Sequence, residues 1–173
     1  MKLMAILEGS CRPTDEMILN FEKRTREHIN RVKKYLNILY QLTDLGKELL
    51  VRADNHDLSK YGPIERLPYI WITEFHRCKN AGINFRYPDC IKDKINVATK
   101  HHITTNRHHP EYFSDISDMN KIDIAEMVAD WAAMAEELNE GSPRAWANKM
   151  IGVRWHFTND QIDLIYAYID LIE

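Results

Sequence analysis

The sequence predicts an all-α protein that folds as a single-domain bundle of about six or seven helices. Apolar residues recur three or four positions apart over most of the chain, which is the spacing of one face of an α-helix. No pair of alternating apolar runs flanks a hairpin turn. Only six Gly and six Pro occur among 173 residues, and 45% of the residues are hydrophobic, a composition typical of one compact domain.

The first predicted helix is long and amphipathic. Apolar residues follow helical spacing from Phe21 to about Val51, and Lys and Arg fill the opposite face. Residues 52–57 then include Asp and Asn, which favour caps and turns. We expect a short helical turn as far as Lys60, because the Gly-Pro pair at 62–63 ends it.

The remaining helices are predicted from the same periodicity and from the polar stops between them. Residues 80–82 end the second helix, and residues 139–143 end the most regular one. Asn159 or Asp160 is available to cap the last helix. The predicted ranges are about Ile64–Lys79, Ile91 to the His101-His102 pair, Asp123–Leu138, Ala145–Arg154 and Asp160–Ile172.

Charge, hydropathy and cysteine content limit the class of partner and the compartment. The net charge of −3 argues against bulk binding of nucleic acid. The apolar run Leu3–Leu7 is shorter than an export signal requires, and no run of about 18 apolar residues could span a membrane. The three cysteines are too few and too scattered for a disulfide framework. We expect a soluble cytoplasmic protein with no membrane partner, and leave homo-oligomerisation open.

Histidine is the residue type that stands out in this chain. Four of the eight histidines lie within nine residues, at positions 101, 102, 108 and 109. Imidazole nitrogens combined with carboxylates form sites for divalent cations. A solvated loop rich in histidine is the alternative interpretation, because residues that are close in sequence need not converge in space.

Two polar residues fall on apolar faces of predicted helices. His28 lies four residues before Val32, and Asp130 lies three after Met127 and four before Met134. An unpaired carboxylate in such a place costs several kcal/mol, so Asp130 needs a partner. A shared metal ion would account for both inward groups, and a hydrogen bond between His28 and Asp130 is the structural alternative.

The His56-Asp57 pair supplies a third polar group. Lys60 follows His56 by four residues, which places it on the same side of a helical turn. One imidazole, one carboxylate and one ammonium group would then converge. An Asp-rich helix cap is the alternative interpretation of this segment.

Several other catalytic templates are missing from the sequence. No Glu stands three residues before a histidine, and the chain has no His-Glu-x-x-His motif. It also has no Gly-rich phosphate loop and no Gly-x-Ser-x-Gly elbow. A metal site carried by helices is the interpretation that remains.

The order of the candidate residues along the chain resembles that of the HD-domain metal-dependent phosphohydrolases. The pattern consists of His28, the His-Asp pair at 56–57, the histidine pair at 101–102, and Asp130. The boxes TREH at 25–28, HDLSK at 56–60 and HHPEY at 108–112 are also similar to those of an uncharacterised family of small phage and bacterial proteins. The resemblance covers residues 20–135, which would form the core. Residues 1–19 would be an N-terminal extension, and residues 144–173 would add C-terminal helices.

The resemblance implies an all-helical fold around one or two divalent ions of Mn, Fe, Mg, Ni, Co or Zn. The implied core ligands are His28, His56, Asp57 and Asp130. His101 would be the additional ligand, although helical periodicity favours His102, which continues the apolar stripe before it. Lys60 would face the phosphate, and His108 and His109 would line the pocket or hold a second metal.

These roles predict a metal-dependent phosphohydrolase that acts on a nucleotide or a similar small phosphorylated metabolite. Lys60, His108 and His109 are its candidate catalytic residues, because an ammonium offsets phosphate charge and an imidazole can protonate a leaving oxygen. The chain lacks the Gly-Tyr-Pro box of the cyclic-dinucleotide-cleaving branch, which leaves the substrate open. An HD-type di-iron oxygenase and a non-catalytic, metal-stabilised binding protein are the alternative hypotheses.

Overall fold

The computed structural model describes residues 11–173 and confirms the all-α prediction. Within these residues there is no β-strand. The apolar run at 3–7 and the first part of the predicted extension at 1–19 lie outside the described residues, so the predictions made for them stay predictions. The seven α-helices are α1 (Asp15–Leu42), α2 (Glu48–Asn55), α3 (Arg66–Asn80), α4 (Asp89–Thr105), α5 (Lys121–Leu138), α6 (Pro143–Met150) and α7 (Asn159–Ile172).

The prediction of one long helix from 21 to 51 is wrong, because the chain leaves the helix between α1 and α2. Gly46 has φ +79°, a left-handed conformation that side-chain-bearing residues rarely adopt. The Thr43 hydroxyl donates a hydrogen bond of 2.6 Å to the Leu39 carbonyl, which uses one of the last carbonyls of α1. The apolar spacing continues across the break, so periodicity alone does not reveal it.

The other helices match their predicted ranges apart from their ends. Helix α4 runs past the histidine pair to Thr105, and α6 ends at Met150 instead of Arg154. The cap of α7 is Thr158, one residue before the predicted candidates, because its side chain and that of Gln161 form a reciprocal capping box. A second capping box, between Asn120 and Asp123, fixes the start of α5.

The described chain divides into two compact units. Unit 1 consists of residues 11–26 and Leu58–His102, and it has its own apolar core. A disulfide joins Cys11 to Cys90 in this unit, with 6.2 Å between the Cα atoms. The sequence predicts no disulfide framework, and the one disulfide among the described residues joins positions 79 residues apart, which no local pattern indicates. Cys78 is a buried free thiol. The core residues of unit 1 are Met17, Phe21, Ile70, Trp71 and Ile91.

Unit 2 consists of Glu27–Asp57 and Ile103–Glu173 and is organised around α5. Helix α5 packs against α2, α6 and α7, and most of its residues are buried. The rings of Trp131 and Trp155 stack with 5.8 Å between centroids, consistent with a packing role for these aromatics. The predicted single domain with a core over 20–135 stays a prediction.

In the part of the chain that the structure describes, no helix has the length and apolar character needed to cross a lipid bilayer.

Candidate metal centre

Helix α1 supplies the first residue of the site. His28 is 4% exposed and lies on the same face as Val32, Leu36 and Leu39, which are completely buried in the core of unit 2. The helical repeat therefore places an imidazole at one end of an apolar stripe. A buried imidazole in such a place requires a polar partner.

His56 and Asp57 follow directly after α2. Both are 1% exposed, and Asp57 adopts a left-handed backbone conformation with φ +59°. Left-handed backbone is uncommon for residues with a side chain, although Asp tolerates it better than most. Such strain costs about 1–3 kcal/mol and persists where the surrounding structure holds it, commonly at functional sites. The turn directs the Asp57 carboxylate towards the imidazoles of His28 and His56.

Helix α5 presents four carboxylates along one face. Asp123, Glu126, Asp130 and Glu137 are spaced by three, four and seven residues, which is the repeat of a single helical stripe. Asp123 is completely buried, and the side chains of Glu126, Glu137 and Asp130 are 4%, 12% and 16% exposed. Asp130 is one of the predicted ligands, whereas the sequence analysis did not select the other three.

His108 enters the site from the turn that follows α4. The backbone amide of His109 closes this turn by donating to the Asn106 carbonyl at 3.1 Å. The His108 side chain is 3% exposed, and the centroid of its ring lies 4.3 Å from that of His56. The His109 ring stands beside it, with 4.2 Å between the two centroids.

Three imidazole nitrogens and two carboxylates face one another in this unit. The Nε2 atom of His28 is 3.0 Å from Asp130 Oδ1 and 3.4 Å from Asp57 Oδ2. The Nε2 atom of His56 is 3.7 Å from each of the same two oxygens. His108 Nε2 is 3.6 Å from Asp57 Oδ1. We call these five residues, His28, His56, Asp57, His108 and Asp130, the metal centre, a name for a candidate site whose side chains could hold an ion.

The spacing of these atoms fits ligands of one cation. Two ligand atoms that each lie about 2.1 Å from an ion are about 3.0 Å apart at a right angle and about 3.4 Å apart at a tetrahedral angle. The two separations of His28 Nε2, 3.0 and 3.4 Å, match these values, and those of His56 and His108, 3.6–3.7 Å, are slightly longer. Independently, the atoms of His28, His56 and Asp57 are close enough together to hold an ion.

The hydrogen bonding of the imidazoles also fits a cation. Among the described residues, neither Nε2 of His28 nor Nε2 of His56 has a hydrogen-bond partner of acceptable geometry, although both atoms are buried. Buried polar atoms are normally satisfied, so an exception requires an explanation. A shared ion would satisfy both nitrogens and the carboxylate oxygens that face them.

The carboxylates control the charge of the two imidazoles. Burial opposes protonation of His28, but Asp130, Asp57 and Glu137 outweigh it and raise its pKa to about 11. Burial opposes protonation of His56 as well, and the charge of Asp57 with contacts to Asp130 and Glu126 raises its pKa to about 9. Burial and the nearby charge of His56 lower the pKa of His108. Two positive charges therefore balance the carboxylates without metal, and one divalent cation would supply the same charge.

A network of arginines and carboxylates lies behind the metal centre. Glu126 Oε1 accepts a hydrogen bond of 2.8 Å from His56 Nδ1, and His108 Nδ1 lies 3.4 Å from the same oxygen. Arg52 donates from Nε to Glu126 Oε2 at 2.7 Å and from Nη1 to Asp123 Oδ1 at 2.9 Å. Arg107 holds both oxygens of Asp123.

Unit 1 contains a second polar cluster around Glu65, which is completely buried. His101 Nδ1 lies 2.6 Å from Glu65 Oε1, and His102 Nδ1 lies 2.9 Å from Oε2. Burial opposes ionisation of Glu65, but its contacts with His102 and His101 hold its pKa below the usual value. The ammonium of Lys60 stands over the ring of Tyr69, 5.3 Å from its centroid.

The structure brings all four predicted core ligands, His28, His56, Asp57 and Asp130, into the metal centre of unit 2. His108 joins them there, with His109 beside it. His101, His102 and Lys60 belong to unit 1, where the two imidazoles contact Glu65. His102 is 5% exposed, in agreement with its position on the apolar stripe of α4. The ligand and catalytic roles of these residues stay predictions.

Sequence reasoning missed Glu126, Arg52 and Asp123. Glu126 stands one helical turn before Asp130, and Asp123 stands three residues before Glu126. A row of carboxylates on a helix that is otherwise apolar was the available signal. The partner of that row, Arg52, is 74 residues away from Glu126 along the chain, so no local pattern indicates the pairing.

The chain belongs to a protein family described as Family of unknown function (DUF5662), whose profile matches residues 17–170. No curated protein and no solved structure matches the chain.

Proposed function

We propose that this protein is a metal-dependent phosphohydrolase that acts on a phosphoester of a nucleotide or a similar small metabolite. The observation that supports this proposal is that the Nε2 atoms of His28 and His56 lie 3.0–3.7 Å from carboxylate oxygens of Asp57 and Asp130 in unit 2, with His108 Nε2 3.6 Å from the other Asp57 oxygen. This donor set, mixed in nitrogen and oxygen, suits a borderline divalent cation such as Mn²⁺, Fe²⁺, Co²⁺, Ni²⁺ or Zn²⁺.

In this proposal the chain's own residues hold and orient the cation. His28, His56 and His108 offer Nε2 atoms, and Asp57 and Asp130 offer carboxylate oxygens. A bound divalent cation lowers the pKa of a water to about 7 and polarises a phosphoryl oxygen. The exposed fraction of Asp130, 16%, is the largest in the metal centre, so we place substrate access on its side.

The proposal assigns proton transfer and phosphate contact to two residues that follow metal-centre residues closely along the chain. His109 is the candidate for protonating the leaving oxygen, since its ring stands beside His108, which is a ligand in this scheme. Lys60 lies in unit 1, and its role in offsetting phosphate charge is a prediction that rests on the resemblance to HD-domain phosphohydrolases alone.

The first test is the substitution Asp57→Asn. Asn tolerates the left-handed conformation at this position, so the fold should be retained while one charged ligand is lost. We expect bound metal to disappear and phosphate release from a panel of nucleotides to fall at least about 100-fold. Metal content of the purified protein and phosphate release with Mn²⁺, Co²⁺, Ni²⁺ or Mg²⁺ measure the two effects.

The matched control is His76→Ala, because His76 is an exposed histidine of unit 1. We expect it to retain metal content and turnover. Phosphate release by metal-stripped wild-type protein would contradict the proposal. Consumption of dioxygen by an iron-loaded form would favour the oxygenase, and bound metal without either activity would favour a binding protein.

A further inference from the structure

Glu126 is the buried carboxylate that faces two imidazoles of the metal centre from behind. Its Oε1 atom accepts a hydrogen bond from His56 Nδ1 at 2.8 Å and lies 3.4 Å from His108 Nδ1. The opposite nitrogens of the same rings face Asp57, at 3.7 Å from His56 Nε2 and 3.6 Å from His108 Nε2. One carboxylate oxygen thus lies behind both rings.

We propose that Glu126 is a positioning residue that holds the Nδ1–H groups of His56 and His108 and presents their Nε2 atoms to the metal. This inference rests on the proposed function, because it assumes that the metal centre binds a cation. An ionised carboxylate only accepts hydrogen bonds, so each Nδ1 that contacts it must carry the hydrogen. The lone pair of a neutral imidazole is then on Nε2, the nitrogen that faces Asp57.

Arg52 fixes the orientation of Glu126. Its Nε and Nη2 atoms lie 2.7 Å and 2.6 Å from Glu126 Oε2, which leaves Oε1 for the imidazoles. The side chain of Arg52 is 17% exposed and that of Glu126 is 4% exposed, so water screens this pair only weakly. A buried carboxylate held on one oxygen by a guanidinium cannot rotate freely, and it therefore sets the plane of the rings it contacts.

Arg52 also argues against Glu126 as a direct ligand. The atoms of His56, His108 and Glu126 are themselves close enough to hold an ion. A cation placed there would stand close to a guanidinium nitrogen 2.6 Å from Glu126 and would be repelled by its charge. The Nε2 side carries no such penalty, because His56 Nε2 faces Asp57 and Asp130 and His108 Nε2 faces Asp57.

Asp123 provides a matched control for Glu126. Both are buried carboxylates of α5 that bind Arg52, one helical turn apart. The remaining contacts of Asp123 are with Arg107 and with the Asn120 amide, whereas those of Glu126 are with imidazoles. Asp123→Asn and Glu126→Gln therefore disturb the same arginine, but only the second disturbs the histidines.

The experiment measures Co²⁺ affinity by competition with a chelator in the full-length protein. We expect Glu126→Gln to weaken Co²⁺ binding about 10–100-fold and to shift the visible absorption bands of the bound ion. Asp123→Asn should stay within about threefold of wild type with unchanged bands, although both variants lower the melting temperature. Asp57→Asn should abolish binding, which sets the scale for loss of a direct ligand.

Three outcomes would overturn the positioning role. Equal affinities and equal absorption bands for Glu126→Gln and Asp123→Asn would make Glu126 a structural residue only. Loss of binding in Glu126→Gln as complete as in Asp57→Asn would make Glu126 a ligand. Failure of the wild type to bind Co²⁺ would remove the metal centre itself, a result distinct from the first two.

A measurement on the wild type keeps the proposal testable if the variants do not fold. In the Zn²⁺-loaded protein, ¹⁵N shifts of the imidazole rings should identify Nε2 as the metal-bound nitrogen and Nδ1 as protonated in His56 and His108. Coordination through Nδ1 in either ring would overturn the proposal.

Discussion

Asp57 combines a left-handed backbone with a carboxylate that is almost completely buried. Its two oxygens face three imidazole nitrogens at 3.4–3.7 Å, and the raised pKa values of His28 and His56 follow in part from its charge. The strain and the burial both oppose folding, so the rest of unit 2 must offset them. Backbone strain of this kind is common at functional sites, which agrees with the proposed role of Asp57 as a metal ligand.

Binding of a divalent cation should release protons from this site. With pKa values of about 11 and 9, His28 and His56 are both protonated at pH 7 in the metal-free protein. Metal binding requires neutral imidazoles, so about two protons leave and affinity rises as pH increases towards 9. Calorimetric titration with Co²⁺ in buffers of different ionisation enthalpy counts these protons.

Asp57→Asn is the control for this count, because it should show neither heat of metal binding nor proton release. A released-proton number near zero at pH 7 would contradict the charge balance that we describe. So would an affinity that falls between pH 6 and 9, since protons and metal compete for the same nitrogens.

At the scale of elements, helical periodicity predicted α3, α4, α5 and α7 within a few residues, because each has an apolar stripe and a polar or Gly stop. It also placed His28 and Asp130 facing inward. It could not separate α1 from α2, since the apolar spacing does not change at the break and only Gly46 marks it. Nor could it find Glu126, whose partners Arg52 and His56 come from another helix and the turn after it.

The break between α1 and α2 predicts a specific cost at Gly46. A Cβ there would meet no atom within 4 Å, so only the left-handed backbone, with φ +79°, penalises a side chain. We expect Gly46→Ala to lower the free energy of unfolding by about 1 kcal/mol, and Gly46→Asn to lower it less, because Asn tolerates this conformation. Urea unfolding followed by circular dichroism measures both values.

Equal stability of Gly46→Ala and wild type would show that the loop at 43–47 relaxes at no cost. A larger loss for Gly46→Asn than for Gly46→Ala would contradict the conformational explanation, since it would reverse the order set by left-handed propensity.

At the scale of the molecule, the metal centre draws its residues from four separate segments of unit 2. They are α1, the turn after α2, the turn after α4, and α5. Three carboxylates, those of Asp57, Glu126 and Asp130, lie in this unit, the first two buried and the third 16% exposed. Arg52 neutralises Glu126, but repulsion between Asp57 and Asp130 opposes folding unless protons or a cation neutralise their charge. If the proposed cation binds, its binding and the stability of unit 2 are linked.

This linkage predicts the response of thermal unfolding to metal. A ligand that binds only the folded protein stabilises it by RT ln(1 + [L]/Kd), which is about 2.7 kcal/mol at one hundred times Kd. We expect the melting temperature of the wild type to rise with Co²⁺ and to return to its starting value when a chelator is added. Asp57→Asn should show no rise, whereas His76→Ala should behave as the wild type does. An equal rise in the melting temperature of Asp57→Asn would mean that the ion binds elsewhere on the chain. That variant lacks the carboxylate that faces all three imidazoles of the metal centre.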